Sequence, residues 1–93
     1  MRLRWTRPAA NDLDDIEVYI AEDNSPVVAV DVVLRIIDQV EGLLPAHPGA
    51  GRIGRIQGTR ELVIEGLPYI TIYRDMSDEI QILRVLHDAQ QWP

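Results

Sequence analysis

The sequence contains no cysteine. The chain therefore has no disulfide, no thiolate metal site and no cysteine nucleophile, which fits a reducing compartment. No apolar run approaches the length of a membrane span, and the N-terminal segment lacks the apolar core of a signal peptide. We expect a cytoplasmic protein without a membrane partner, and a length of 93 residues predicts one domain, residues 1–93.

The sequence also has little that suggests a cofactor or a metal. His47 and His87 are its only histidines, and neither has a third ligand at metal-binding spacing. The segment Gly49 to Gly54 matches GxGxxG, but that motif works where a strand leads into a helix N-terminus. Here it follows a predicted helix and leads into strands. We predict no metal site and no cofactor.

Lysine is absent as well, and the charges are unevenly distributed. The formal net charge is −6, and all nine cations are arginine. Residues 12–41 hold nine acids against Arg35 alone, a net charge of −8, whereas eight arginines against six acids give the rest +2. Overall acidity argues against attraction to nucleic acid, so direct nucleic-acid binding is not expected. Arginines on a sheet suit bidentate pairing with carboxylates.

The stretch from Thr59 to His87 predicts an antiparallel meander. Turn residues separate three runs rich in β-branched and aromatic side chains, at 61–65, 68–74 and 79–86. Strand alternation places apolar side chains on both faces, with one face of the last strand holding Ile80, Ile82 and Leu86. Both faces therefore need cover.

Two helices are predicted before this meander, at about 8–23 and 26–44, after a short first strand at 2–5. Pro8 and Pro26 suit the first helical turns, and Ser25 suits the N-cap of the second helix. The order β-α-α-β-β-β predicts an α+β fold in which an antiparallel helical hairpin packs on a small, mainly antiparallel sheet. Six residues are predicted to be buried: Trp5, Ile16, Ile20, Val33, Ile37 and Val40. The second sheet face should then be partly exposed and available to a partner.

One cluster resembles a phosphodiester-cleaving site. His87 lies at the end of the last strand near Arg84, and Arg60 and Arg74 lie on neighbouring strands. A general acid or base beside cations is what such chemistry requires. The alternative is an edge histidine with arginines paired to carboxylates, and the residues alone leave both interpretations open.

Several segments together resemble the RelE/ParE superfamily of toxins from type II toxin–antitoxin modules. They cover nearly the whole chain in order: Arg4-Trp5-Thr6, Pro8-Ala9, Tyr19-Ile20-Ala21, His47-Pro48-Gly49, Gly51-Arg52, Thr59-Arg60-Glu61-Leu62, Pro68-Tyr69, Ile72-Tyr73-Arg74, Ile82 to His87 and Trp92-Pro93. The resemblance implies the β-α-α-β-β-β fold, a ParD-like antitoxin that masks the toxin, and a higher-order hetero-oligomer.

The resemblance implies two mechanisms. ParE-like members poison DNA gyrase and serve plasmid stabilisation, whereas RelE-like members cleave mRNA on the ribosome with basic residues along the sheet. Here the corresponding strands are apolar, so the ParE-like interpretation is preferred and no catalytic residue is predicted. The ribonuclease alternative depends on His87, Arg60, Arg74 and Arg84. The predicted target-binding residues are Arg84, His87 and Trp92, and the predicted antitoxin-binding residues are Arg60, Leu62, Ile64, Tyr73 and Arg74.

Overall fold

A computed structural model describes residues 1–92 of the chain. The elements in order are β1 (Arg2–Trp5), α1 (Arg7–Asp23), α2 (Pro26–Leu43), β2 (Arg52–Ile53), β3 (Arg60–Val63), β4 (Tyr69–Asp75) and β5 (Glu79–His87). The five strands form one sheet in the order β1-β5-β4-β3-β2. Only β1 runs parallel to its neighbour, β5. The predicted α+β fold is confirmed.

Both helices begin at the predicted signals. The Thr6 side chain accepts a hydrogen bond from the Ala9 N–H, and the Ser25 side chain accepts one from the Val28 N–H. Each satisfies a backbone donor that the first turn leaves free. Neither helix is long and apolar enough to span a bilayer, among the residues that the structure describes.

The face that α2 buries agrees with the predicted one only in part. Ile36 and Val40 are fully buried, so the prediction for Val40 is confirmed, whereas Ile37 is only partly buried. Of the other predicted core residues Ile16 is buried, and three are partly buried: Trp5, Ile20 and Val33. The apolar arc of α2 is wide, so helical periodicity alone could not determine which stripe faces the sheet.

A bulge in β5 changes which face its residues occupy. Ile72 pairs with Arg84 and Tyr73 pairs with Ile82, so Leu83 has no partner of its own in β4. A bulge of one residue reverses the side-chain alternation beyond it. Ile82 therefore packs under the helices and Leu86 packs on the other side, so the prediction that they share a face was wrong.

The side of the sheet away from the helices, here called the opposite face, is better covered than expected. Its apolar residues Ile70, Ile72 and Leu86 are all buried, and Trp92 packs against them. The Trp92 carbonyl accepts a hydrogen bond from Arg55 at 3.0 Å, which ties the C-terminal segment to the loop before β3. The expectation of a partly exposed apolar second face was wrong at these three residues, because the C-terminal segment folds back over them.

Candidate interaction site

His87 ends β5 on the face that the helices cover. Its Nδ1 accepts a hydrogen bond from the Ala89 N–H at 3.0 Å, and its ring meets Tyr69 edge-on at 5.5 Å between centroids. The same Nδ1 lies 3.4 Å from the Asp88 carboxylate. Burial raises the pKa of Tyr69, and the nearby Tyr19 adds to that effect. His87 therefore packs against Tyr69, and Tyr19 lines the same cavity.

A cavity of about 320 Å³, here called the tyrosine cavity, opens between α1 and this end of the sheet. It is lined by Asp15, Ile16, Tyr19, Tyr69, His87 and Gln90. Tyr19 neighbours both other helix residues of the lining, because it follows Asp15 by four positions and Ile16 by three on α1. The Gln90 amide oxygen accepts a hydrogen bond from the His87 backbone N–H at 2.7 Å, so the C-terminal segment forms one wall.

Arg84 is committed to an ion pair. Its guanidinium donates two hydrogen bonds to the Asp12 carboxylate, at 2.8 and 3.1 Å, and the Val85 N–H donates to the same carboxylate at 2.9 Å. These bonds to Asp12 raise the pKa of Arg84. Because β1 ends at Trp5, this part of the β5 edge has no neighbouring strand, and the helix supplies the missing acceptor.

Arg60 is committed to the loop between α2 and β2. Its guanidinium donates to the Gly51 carbonyl at 2.8 Å. Tyr73 fastens the same loop, because its hydroxyl donates to the Pro48 carbonyl at 2.7 Å and accepts from the Gly51 N–H at 2.8 Å. A Cβ on Gly51 would come within 2.7 Å of the Tyr73 ring. This glycine of the GxGxxG segment therefore serves loop packing, as its position after a helix suggested.

Three of the predicted antitoxin-binding residues lie in the core. Leu62, Ile64 and Tyr73 are each less than a tenth exposed and pack with the helices. They offer no surface to a partner in this structure. Arg74, by contrast, is partly exposed and makes no ion pair within the described residues.

The structure does not assemble the residues of the ribonuclease alternative. Arg60 pairs with Tyr73 and His87 pairs with Tyr69, so they are separated by four residues along the strands and two strands across, about 16 Å. Arg74 lies on the opposite face, five positions from Tyr69 along β4, whereas His87 faces the helices. Within residues 1–92, no group of three potential metal ligands occurs either. The arrangement lacks the convergence that phosphodiester cleavage needs.

The short strand β2 covers only part of the outer edge of β3, and Val63 lies beyond it. Glu61 pairs with Arg52 of β2, and the Gln39 amide bonds both the N–H and the carbonyl of Glu65, at 2.8 and 2.9 Å. Ile64 donates its N–H inward to Tyr69, so the alternation of an antiparallel ladder turns the backbone of Val63 outward. The Val63 side chain is 55% exposed. This gap, the Val63 edge, is suited to pairing with an added strand.

A second exposed apolar surface runs along α2. Val27, Val30 and Leu34 follow one another at helical spacing, and all three are exposed. The apolar arc of α2 is wide enough to contain both this stripe and the buried one. The pattern contained this second stripe, but nothing in it distinguished the outer stripe from the inner one.

Comparison with known proteins gives concordant matches. A family model described as the ParE toxin of the type II toxin–antitoxin system, parDE, matches residues 3–92. A protein from Sinorhizobium fredii (strain NBRC 101917 / NGR234), described as "Putative toxin Y4kP", is 48% identical over 92 residues, covering 99% of this chain and 93% of that protein.

Two solved structures are similar in fold. One is described as a chromosomal ParDE toxin–antitoxin system from P. aeruginosa, with 40% identity, a TM-score of 0.87, and coverage of 94% of this chain and 95% of that one. The other is described as the RelBE2 toxin–antitoxin complex from Mycobacterium tuberculosis, with 25% identity, a TM-score of 0.60, and coverage of 92% and 95%.

Proposed function

The chain belongs to the ParE toxin family of type II toxin–antitoxin systems, and on that premise we propose that it inhibits DNA gyrase by binding it and is neutralised by a cognate antitoxin. The predicted resemblance to the ParE-like branch is confirmed. The gyrase target and the antitoxin partner are proposals that go beyond this family membership.

A binding mechanism is supported by the contacts of the candidate catalytic groups, each of which already bonds to another part of the chain. Arg84 is paired with Asp12, and Arg60 donates to a loop carbonyl. His87 keeps Nδ1 occupied and lies on the face away from Arg74. A ribonuclease needs cations aimed at one phosphate to stabilise developing charge. The remaining role of this C-terminal end, including the predicted target-binding residues Arg84, His87 and Trp92, is to form a surface for gyrase.

The antitoxin is proposed to dock first at the Val63 edge. Both structural neighbours are described as toxin–antitoxin systems or complexes, and the edge has one outward-facing residue between two satisfied ones. An extended antitoxin segment can pair there through its backbone and cover Val63 with its side chains. Arg74 is available for an acidic side chain of the same partner, and the interface should exceed about 1,200 Å² in total. A higher-order hetero-oligomer fits this arrangement.

Purified gyrase with relaxed and supercoiled DNA tests the target. We expect the protein to trap double-strand breaks and to block supercoiling, and an equimolar antitoxin to restore activity. A ribosome translation assay run beside it measures mRNA cleavage. Cleaved mRNA together with unaffected gyrase would establish the RelE-like mechanism instead.

Substituting His87→Gln separates the two mechanisms in cells. We expect growth arrest to persist, because the imidazole is proposed to have no catalytic role. A nuclease dependent on that imidazole would lose about 10²–10⁴ in rate. Loss of arrest by a variant that stays folded and binds antitoxin would contradict the binding mechanism.

Hydrogen exchange of the free and antitoxin-bound protein tests the docking edge. The Val63 amide should gain protection on binding, because its N–H faces outward in the free chain. The adjacent Ile64 amide is the internal control, since it already donates to Tyr69 at 2.9 Å. Unchanged exchange at Val63 would place the antitoxin elsewhere.

A further inference from the structure

The tyrosine cavity lies apart from the Val63 edge proposed for antitoxin docking, although the predicted gyrase-binding residue His87 lines it, and its lining favours a cation. Asp15 makes no hydrogen bond or ion pair with any other residue of the range 1–92. Tyr19 and Tyr69 add two aromatic rings. After Arg7, α1 carries no basic residue at all and six acids. A free carboxylate beside two tyrosines attracts positive charge by ion pairing and by cation–π contact.

The volume of the cavity and the apolar residue at its base indicate that its ligand is one long side chain. About 320 Å³ lies at the small end of ligand pockets, and Ile16 makes the floor apolar. A purely apolar guest would remove water from Asp15 without giving its carboxylate a partner. An acidic guest would be repelled by Asp15 and by the acidic helix around it. A side chain with an apolar stem and a cationic end satisfies both parts of the cavity.

Arginine fits this environment better than lysine. Its planar guanidinium stacks on aromatic rings while presenting a fork of donors to a carboxylate. The edge-on contact with Tyr69 fixes the orientation of the His87 ring.

We propose that the tyrosine cavity binds one arginine side chain of the antitoxin. The assignment to the antitoxin rests on the proposed function, since it requires that partner. Charge complementarity supports it, because a protein that covers the helical hairpin must offset a net charge of −8 over residues 12–41. An arginine seated at Asp15 neutralises part of that charge at a defined point and fixes the register of the complex.

The first experiment tests the cavity with the toxin alone. Acetyl-arginine-N-methylamide and the neutral isostere acetyl-citrulline-N-methylamide are titrated while NMR follows the ring signals of Tyr19, Tyr69 and His87. We expect saturable shifts for the arginine probe, with a dissociation constant of about millimolar order, and none for citrulline. Equal responses to the two probes, or no response to arginine, would overturn the proposal.

The second experiment tests the source of the arginine in the complete toxin–antitoxin complex. Asp15→Asn should weaken antitoxin binding about tenfold through the lost charge-assisted pair. Asp14→Asn is the matched control, because it removes the same charge from the neighbouring exposed position outside the cavity. It should change affinity by less than about twofold.

The outcomes separate the two proposals. Equal losses for Asp14→Asn and Asp15→Asn would mean that only the general field of the helix matters, and would overturn the cavity assignment. Unchanged antitoxin affinity for Asp15→Asn, or a loss of gyrase binding in its place, would overturn the antitoxin as the source. The probe titration uses neither antitoxin nor gyrase, so its result stands even if the proposed function fails.

Discussion

The helix-covered face and the opposite face of the sheet bury their apolar side chains by different means. Under the helices, thirteen buried residues form one cluster to which five of the seven elements and the flanking segments contribute. On the opposite face, within residues 1–92, the buried cluster consists of Ile70, Ile72 and Leu86, with Trp92 as the partly buried cover. The buried carboxylate of Glu61 and its partners Arg52 and Arg55 border this small cluster.

This contrast indicates how stability is divided. The helix face depends on close packing between segments distant in the chain, so its residues should be costly to change. The opposite face depends on one aromatic side chain and one buried carboxylate. Its cover can therefore be weakened without loss of the fold.

The largest expected effect tests the helix face. Ile36→Ala should lower the free energy of unfolding by about 2–5 kcal/mol, because Ile36 is fully buried and its truncation leaves a cavity. Ile37→Ala, at a partly buried position, should cost about 1–2 kcal/mol. Chemical denaturation measures both. A larger loss for Ile37 than for Ile36 would mean that α2 is rotated toward the face predicted from periodicity.

The second-largest effect on stability is expected at Glu61, the buried carboxylate that borders the opposite face. Burial by itself raises the pKa of Glu61, but hydrogen bonds from the Arg55 N–H and from Arg52, with the charges of both arginines, bring the net value below its ordinary 4.5. The stabilising contribution is therefore present above pH 4.5 and is lost as the pH falls through the lower folded-state pKa.

Glu61→Gln should accordingly cost about 1–3 kcal/mol near neutral pH, because two arginines and a backbone donor lose their charged acceptor. The difference from the unsubstituted protein should shrink as the pH is lowered below 4.5 and through the lower folded-state pKa of Glu61. Denaturation across that pH range measures this. A difference that is independent of pH would show that packing, rather than charge, makes Glu61 important.

A smaller loss of stability is expected for substitution of Trp92, which covers the opposite face. Trp92→Ala should cost about 1–2 kcal/mol, less than for a fully buried aromatic residue, because Trp92 is partly exposed. Its buried indole N–H also has no hydrogen-bond partner within the described chain. Trp92→Phe is the control, and its loss of stability should be much smaller than that of Trp92→Ala. A cost above about 3 kcal/mol would place Trp92 on a par with the helix-face core.

The smallest effect is a gain on the helix face. The Thr71 hydroxyl is buried and finds no hydrogen-bond partner among residues 1–92. Thr71→Val keeps the shape and removes that group, so thermal unfolding should show a gain of about 0.5–1 kcal/mol. Thr71→Ser retains a hydroxyl and loses a methyl group, and should destabilise. A loss for Thr71→Val would indicate that a buried water bonds the hydroxyl.

The candidate site was only partly predictable from the sequence. His87 and Arg84 were correctly placed on the last strand, but their partners Ala89 and Asp12 depend on how the chain turns back and on where α1 lies. The tyrosine cavity was not predicted, because Asp15 and Tyr69 are far apart in the chain and nothing local links them. The Val63 edge was missed for a similar reason. Its isolation depends on Gln39, a residue of α2, bonding to Glu65.

The sequence by itself determined the order of elements apart from the two-residue strand β2, the helix starts and the family. Proline positions, capping side chains and apolar periodicity act within a few residues, so they are readable without the fold. Only the tertiary structure decided which stripe of α2 is buried, where β5 bulges and what covers Ile70, Ile72 and Leu86. Each of these features depends on packing and hydrogen bonding between segments that are distant in the chain. Local sequence patterns do not contain that information.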